Sequence, residues 1–125
     1  MVTRVHYPGL PGDPGHATLK GIASGLGAVL SFEVQDRATL ERLIAGVSLI
    51  AYAESFGGVE SLITVPAVQT HANLSPAERL RLGVTDTLVR LSVGIEDAGD
   101  LIADLGAALA LDPGMRNDRG TSAGG

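Results

Sequence analysis

Arg90 is the residue with the clearest chemical potential. It stands in the run Leu88-Val89-Arg90-Leu91-Ser92-Val93, where Val89, Leu91 and Val93 alternate with Leu88, Arg90 and Ser92. Such alternation predicts a strand with Arg90 on the face opposite the three apolar residues. An arginine so placed either faces solvent or offers its planar fork to a carboxylate. A second segment, Ala53-Glu54-Ser55-Phe56-Gly57-Gly58, nearly matches a nucleophile elbow. That motif needs a helix directly after the serine, then an acid followed by a histidine; here Pro66 intervenes and the order is Ser55, His71, Asp86. The glycine pair suggests an ordinary turn or backbone amides held close to a ligand. These residues hint at an anion site without naming a reaction.

Other candidates fall away on spacing. His6, His16 and His71 have no second ligand residue at i+2, i+3 or i+4, so they read as loop or surface histidines rather than the rigid half of a metal site. Glu96, Asp97, Asp100 and Asp104 lack the alternating oxygens and glycine of a calcium loop and read as complements of a helix N-terminus. Gly25-Leu26-Gly27 lacks a third glycine and lies between a helix and a strand, the wrong order for a phosphate cradle. Cysteine is absent, and of nine basic residues only Lys20 is a lysine. Amine chemistry therefore has one candidate.

The elements that must position these groups follow from periodicity and turn residues. Residues 4–7 suit a short strand, Pro8 to Pro14 enforces a loop, and a helix over 14–24 would show His16, Leu19, Ile22 and Ala23 on one face. Ala28, Leu30, Phe32 and Val34 alternate as a strand. Asp36 can cap a helix with the stripe Leu40, Leu43, Ile44 and Val47. A strand fits Leu49 to Ala53, and Glu54 to Asn73 reads as irregular. Ser75-Pro76-Ala77-Glu78 is a capping box, with Gly83 ending that helix. After the Arg90 strand, a helix is expected to turn Leu101, Ile102, Leu105, Ala108 and Leu109 inward, and residues 112–125 to form a disordered tail. The expected fold is an α+β two-layer sandwich of about four mostly antiparallel strands with helices on one face.

Composition excludes several classes of function. The chain has 125 residues, a net charge of −5 and 3% aromatic residues. Its scattered cations give no footprint for nucleic acid or an anionic membrane, and few rings are present on which bases could stack. The apolar run Leu43 to Ala53 is too short to span a bilayer. A cytoplasmic location is the expectation.

In these segments the sequence resembles a known family. Val5-His6-Tyr7-Pro8-Gly9-Leu10-Pro11, Leu30-Ser31-Phe32-Glu33, Ala53 to Leu62, Thr70-His71-Ala72 and Arg90 to Asp97 are similar, in this order, to the C-terminal small domain of the trans-sulfuration enzymes. These are the pyridoxal-phosphate-dependent enzymes of cysteine and methionine metabolism, including cystathionine γ-synthase, cystathionine γ-lyase and methionine γ-lyase. The resemblance implies the small domain of a fold-type-I enzyme over residues 1–111. It implies that Arg90 binds the substrate α-carboxylate, that Ser55 completes that site and that Glu54 lines the side-chain pocket. Such a clamp would orient the amino acid against the cofactor. Phe56 stands where the family usually has leucine.

The family's cofactor lysine belongs to a large domain without a counterpart here, and Lys20 falls on a small-domain helix. The expectation is therefore a split or truncated C-terminal domain, inactive alone and not binding pyridoxal phosphate by itself, with no catalytic residue of its own. It would pair with a large-domain partner in a family that is homotetrameric. The alternative is a non-catalytic amino-acid-binding or assembly module docking on a full-length paralogue.

Overall fold

A computed structural model describes residues 1–53 and 58–110. Nine elements follow in the order β1 (Val2–His6), α1 (His16–Ile22), β2 (Val29–Val34), α2 (Arg37–Gly46), β3 (Ala51–Tyr52), β4 (Leu62–Thr64), α3 (Pro76–Arg81), β5 (Leu88–Ser92) and α4 (Ala98–Ala110). The strands form one mixed sheet in the order β1-β2-β5-β4-β3. The β1/β2, β2/β5 and β4/β5 pairs are antiparallel, and β3 runs parallel to β4. The protein is an α+β domain with β5 at the centre of its sheet.

One face of the sheet carries the main core. Phe32 and Val34 of β2, Val89 and Leu91 of β5, and Ile63 and Val65 of the β4 region are buried with Leu40 and Leu43 of α2 and Leu101 and Ala108 of α4. The α2 stripe forms as its spacing predicts, with Ile44 and Val47 partly buried beside Leu40 and Leu43. Asp36 caps the helix, accepting from the Thr39 backbone N–H at 2.8 Å and the Thr39 hydroxyl at 2.7 Å. On the other face, Leu88 joins Ala67 and Val84 in a small separate cluster.

Four expectations are corrected. The sheet has five strands, because β4 lies within the segment expected to be irregular. Its residues Ile63 and Thr64 are both buried, so no alternation marks the strand, and it is only three residues long. The strand expected over 49–53 contracts to Ala51–Tyr52. Its first N–H groups are diverted, since those of Ser48, Leu49 and Ile50 each donate to the Asp104 carboxylate at 2.9 Å. The helix expected over 14–24 is confined to α1, which buries no residue and leaves Ile22 80% exposed. In α4, Ile102 faces outward at 70% exposure. Leu101, Leu105 and Ala108 lie at i, i+4 and i+7, and Ile102 is displaced by one residue, about 100° around the helix, from that stripe.

The capping box of α3 is present, with Ser75 Oγ accepting from Glu78 N and Glu78 accepting from Ser75 N. Gly83 then ends the helix at φ +78°, in the left-handed region that glycine enters without steric cost. The tail expected over 112–125 lies outside the described residues. Among the described residues no helix is long and apolar enough to cross a membrane.

Candidate carboxylate-binding site

Arg90 projects from the middle of the sheet. Its backbone is paired with Ser31 of β2 on one side and Thr64 of β4 on the other. Cross-strand partners share a face, so Ser31, Arg90 and Thr64 form a polar row opposite the main core. The arginine is half-buried, and its Nε is buried with no hydrogen-bond partner among the described residues. A buried guanidinium N–H without an acceptor is costly, and a carboxylate supplies acceptors that match the fork. Arg90 lines a cleft of about 330 Å³ with Ala28, Val29, Gly58, Glu60, Ser92 and Val93.

Glu54 and Ser55, expected beside Arg90, lie outside the described residues. Their flanks are placed. Ala53 donates its N–H to the Ile63 carbonyl at 3.1 Å, and its own carbonyl accepts from Thr64 Oγ1 at 2.8 Å. On the far side of the segment, Gly58 lines the Arg90 cleft. The chain thus enters the segment against β4 and emerges from it at the arginine.

Other residues hold this arrangement, and the sequence did not reveal them. Glu96 accepts from Ser61 N at 2.7 Å and from Ser61 Oγ at 2.6 Å, while Ser61 Oγ accepts from Gly94 N at 2.8 Å. The Ile95 N–H also donates to the Val59 carbonyl at 2.9 Å. The Ser61 hydroxyl, followed by the Ser61 N–H, holds the Glu96 carboxyl below its ordinary range. Glu96 therefore bridges two segments rather than complementing a helix N-terminus.

Asp104 is likewise corrected, since it lies well inside α4 and receives the three loop N–H groups and the Ser48 hydroxyl. Desolvation raises its pKa, but these donors together outweigh that effect and leave it lowered. Asp97 does sit at the helix start, its side chain accepting from Asp100 N at 3.1 Å.

The histidines have separate structural partners. His6 lies 3.4 Å from Glu33, His16 Nδ1 lies 2.7 Å from the Pro8 carbonyl, and His71 Nδ1 lies 2.8 Å from Thr70 Oγ1. Asp86 faces Arg79 at 3.9 Å, so the acid and histidine of the near-miss elbow are not brought together. A larger cleft of about 480 Å³ contains Arg79, whose Nε is likewise buried without a partner among the described residues, yet that guanidinium already donates to the Leu74 carbonyl at 2.7 Å and faces Asp86 at 3.9 Å. Arg90 is the better-prepared anion ligand.

An α+β domain whose central strand carries an arginine with a buried Nε, unpartnered among the described residues and lining a cleft, is the class these observations define. The sequence model of the Cys/Met metabolism PLP-dependent enzymes matches residues 1–110, and the chain belongs to that family. It is 45% identical over 108 residues to the cystathionine gamma-lyase of Bacillus subtilis, covering 86% of this chain and 28% of that enzyme. It is 47% identical over 108 residues to the cystathionine beta-lyase MetC of the same organism, with the same coverage. The crystal structure of the cystathionine gamma synthase of Xanthomonas oryzae in complex with cystathionine aligns with a TM-score of 0.83 at 45% identity, covering 87% of this chain and 28% of that one. The chain spans little more than a quarter of the relatives it matches.

The family depends on pyridoxal phosphate, whose aldehyde is held by a lysine. Lys20, the chain's single lysine, is exposed on α1 and lines neither cleft. The described residues therefore offer the cofactor's aldehyde no lysine in either cleft.

Proposed function

We propose that residues 1–111 form the small domain of a pyridoxal-phosphate-dependent trans-sulfuration enzyme of fold type I, a two-layer sandwich that supplies the substrate α-carboxylate site. The observation that carries this reading is the buried Nε of Arg90, without a partner among the described residues, in an open cleft. Arg90 takes the carboxylate through two parallel N–H···O bonds and removes the rotational freedom of the bound amino acid. Ser55 completes the carboxylate site, and Glu54 borders the substrate side chain. The cofactor and its lysine come from polypeptide outside these 125 residues, in a large-domain partner within a homotetrameric, cytoplasmic assembly. Substrates are sulfur amino acids or homoserine esters undergoing γ-elimination or γ-replacement.

Two measurements on the purified chain test the proposal. Mixed with pyridoxal phosphate, it should give no stoichiometric visible Schiff-base band and release neither ammonia nor 2-oxo acid from cystathionine, homocysteine or methionine. Calorimetry should show L-methionine binding that Arg90→Ala weakens about tenfold or more, in line with the loss of charge-assisted hydrogen bonds. Turnover by this polypeptide alone, or full affinity in Arg90→Ala, would contradict the reading.

The Arg90 cleft without a lysine lining it also fits a second reading, a non-catalytic amino-acid-binding or assembly module. Co-purification with a full-length paralogue whose activity does not depend on Arg90 would select it.

A further inference from the structure

We infer that Glu96 and Ser61 form a latch that positions the two walls of the Arg90 cleft, which makes Glu96 a positioning residue for carboxylate capture. The inference rests on the reading of Arg90 given above. Gly58 and Glu60 line the cleft from the segment that precedes β4, and Ser92 and Val93 line it from the end of β5, so two stretches of chain supply its walls. The latch joins the chain immediately beyond each wall. Ser61 follows Glu60, and Gly94 follows Val93. Both Ser61 donors end on Glu96, and the same Ser61 hydroxyl takes the Gly94 N–H. Ser61 is 1% exposed, so without Glu96 its N–H and hydroxyl become buried donors lacking an acceptor, and the segment must shift to satisfy them.

The approach at this point is close. A Cβ on Gly94 would collide with the Val59 carbonyl oxygen and stand 2.6 Å from the Glu60 carbonyl carbon, both backbone atoms that cannot swing aside. Glycine thus brings the walls together, and the carboxylate holds them in register. Arg90 itself makes none of these bonds, so the cleft's width and the charge of its ligand are set by different residues. Asp104 provides an internal comparison, because its carboxylate also gathers several N–H groups, but those of the loop at 48–50, which lines no part of this cleft.

The test compares the full 125-residue chain with Glu96→Ala, Glu96→Gln, Asp104→Asn and Arg90→Ala. L-methionine affinity is read by calorimetry and amide exchange at Ser61, Gly94 and Ile95, the three N–H donors at the latch, by NMR. The latch predicts about tenfold weaker binding in Glu96→Ala. Glu96→Gln keeps an acceptor for Ser61 N but loses the one for its hydroxyl, and should fall between wild type and alanine. Asp104→Asn should bind within about twofold of wild type despite its lower stability. Exchange at the three amides should accelerate in Glu96→Ala and stay unchanged in Arg90→Ala.

Equal weakening by Glu96→Ala and Asp104→Asn, or unchanged affinity in Glu96→Ala while Arg90→Ala binds poorly, would overturn the latch and leave the Arg90 reading intact. Wild-type affinity in Arg90→Ala, or no binding by the wild-type chain, would instead remove the carboxylate reading. The exchange rates would then decide the latch, with unaltered protection in Glu96→Ala refuting it.

Discussion

Arg90 and the carboxylates around the sheet divide the work of the site between charge and geometry. Among the described residues, Arg90 keeps a buried N–H unspent, whereas Glu96 and Asp104 have used their acceptors on nearby backbone. The consequence for pH follows from direction. Asp104 and Glu96 titrate lower in the folded chain than their ordinary values, as does Asp36 through the Thr39 hydroxyl and N–H. Their contribution is complete above the unfolded-state range, about pH 4, and is lost as pH falls through the lower folded-state values. Denaturation midpoints should therefore fall as the pH drops below about 4, and the fall should be shallower in Asp104→Asn. A profile identical to wild type would show that this carboxylate is not anchoring the loop.

At this scale Arg90 was legible because a strand's period of two places it locally. The partners of Asp104 lie more than fifty residues upstream, and those of Glu96 thirty-five, so no local pattern could announce them.

At the scale of elements, α2 and β5 carry the architecture. Leu43 of α2 is fully buried at the centre of the core. Leu43→Ala should cost about 2–5 kcal/mol, seen as a fall in the urea midpoint with little change in slope. A loss below about 0.5 kcal/mol would place α2 outside the cooperative core. The α2 stripe, the Ser75 capping box and the β2 and β5 alternations were readable because each is a short-range signal confirmed within one element. The strand β4 was not, since it is three residues long and its neighbouring Ile63 and Thr64 are both buried, which leaves no period to read. β3 was overestimated because a side chain from α4 takes the N–H groups that a strand would have used. Ile102 shows a related limit, since an apolar residue one step off the stripe still looks as though it belongs to it.

For the whole molecule, the α+β class was accessible from alternating strands between one-sided helices and the family from five blocks of sequence in order, and the match to residues 1–110 agrees with the latter. Three apolar residues near the Arg90 cleft remain open to solvent: Val29 at 51%, Val59 at 63% and Ile95 at 81%. Val29 lines the cleft, while Val59 and Ile95 are joined by a backbone hydrogen bond beside the latch. Under the proposed function, this side is the one a large-domain partner would cover. Carboxylate capture by Arg90 is most directly tested by its ¹⁵Nε–H resonance during titration with L-methionine and, separately, with L-methioninol, which lacks the carboxylate. A saturable downfield shift and slowed exchange of that proton are predicted with methionine, and no saturable shift with methioninol. An Arg90 signal that ignores both compounds, or responds equally to both, would contradict that capture.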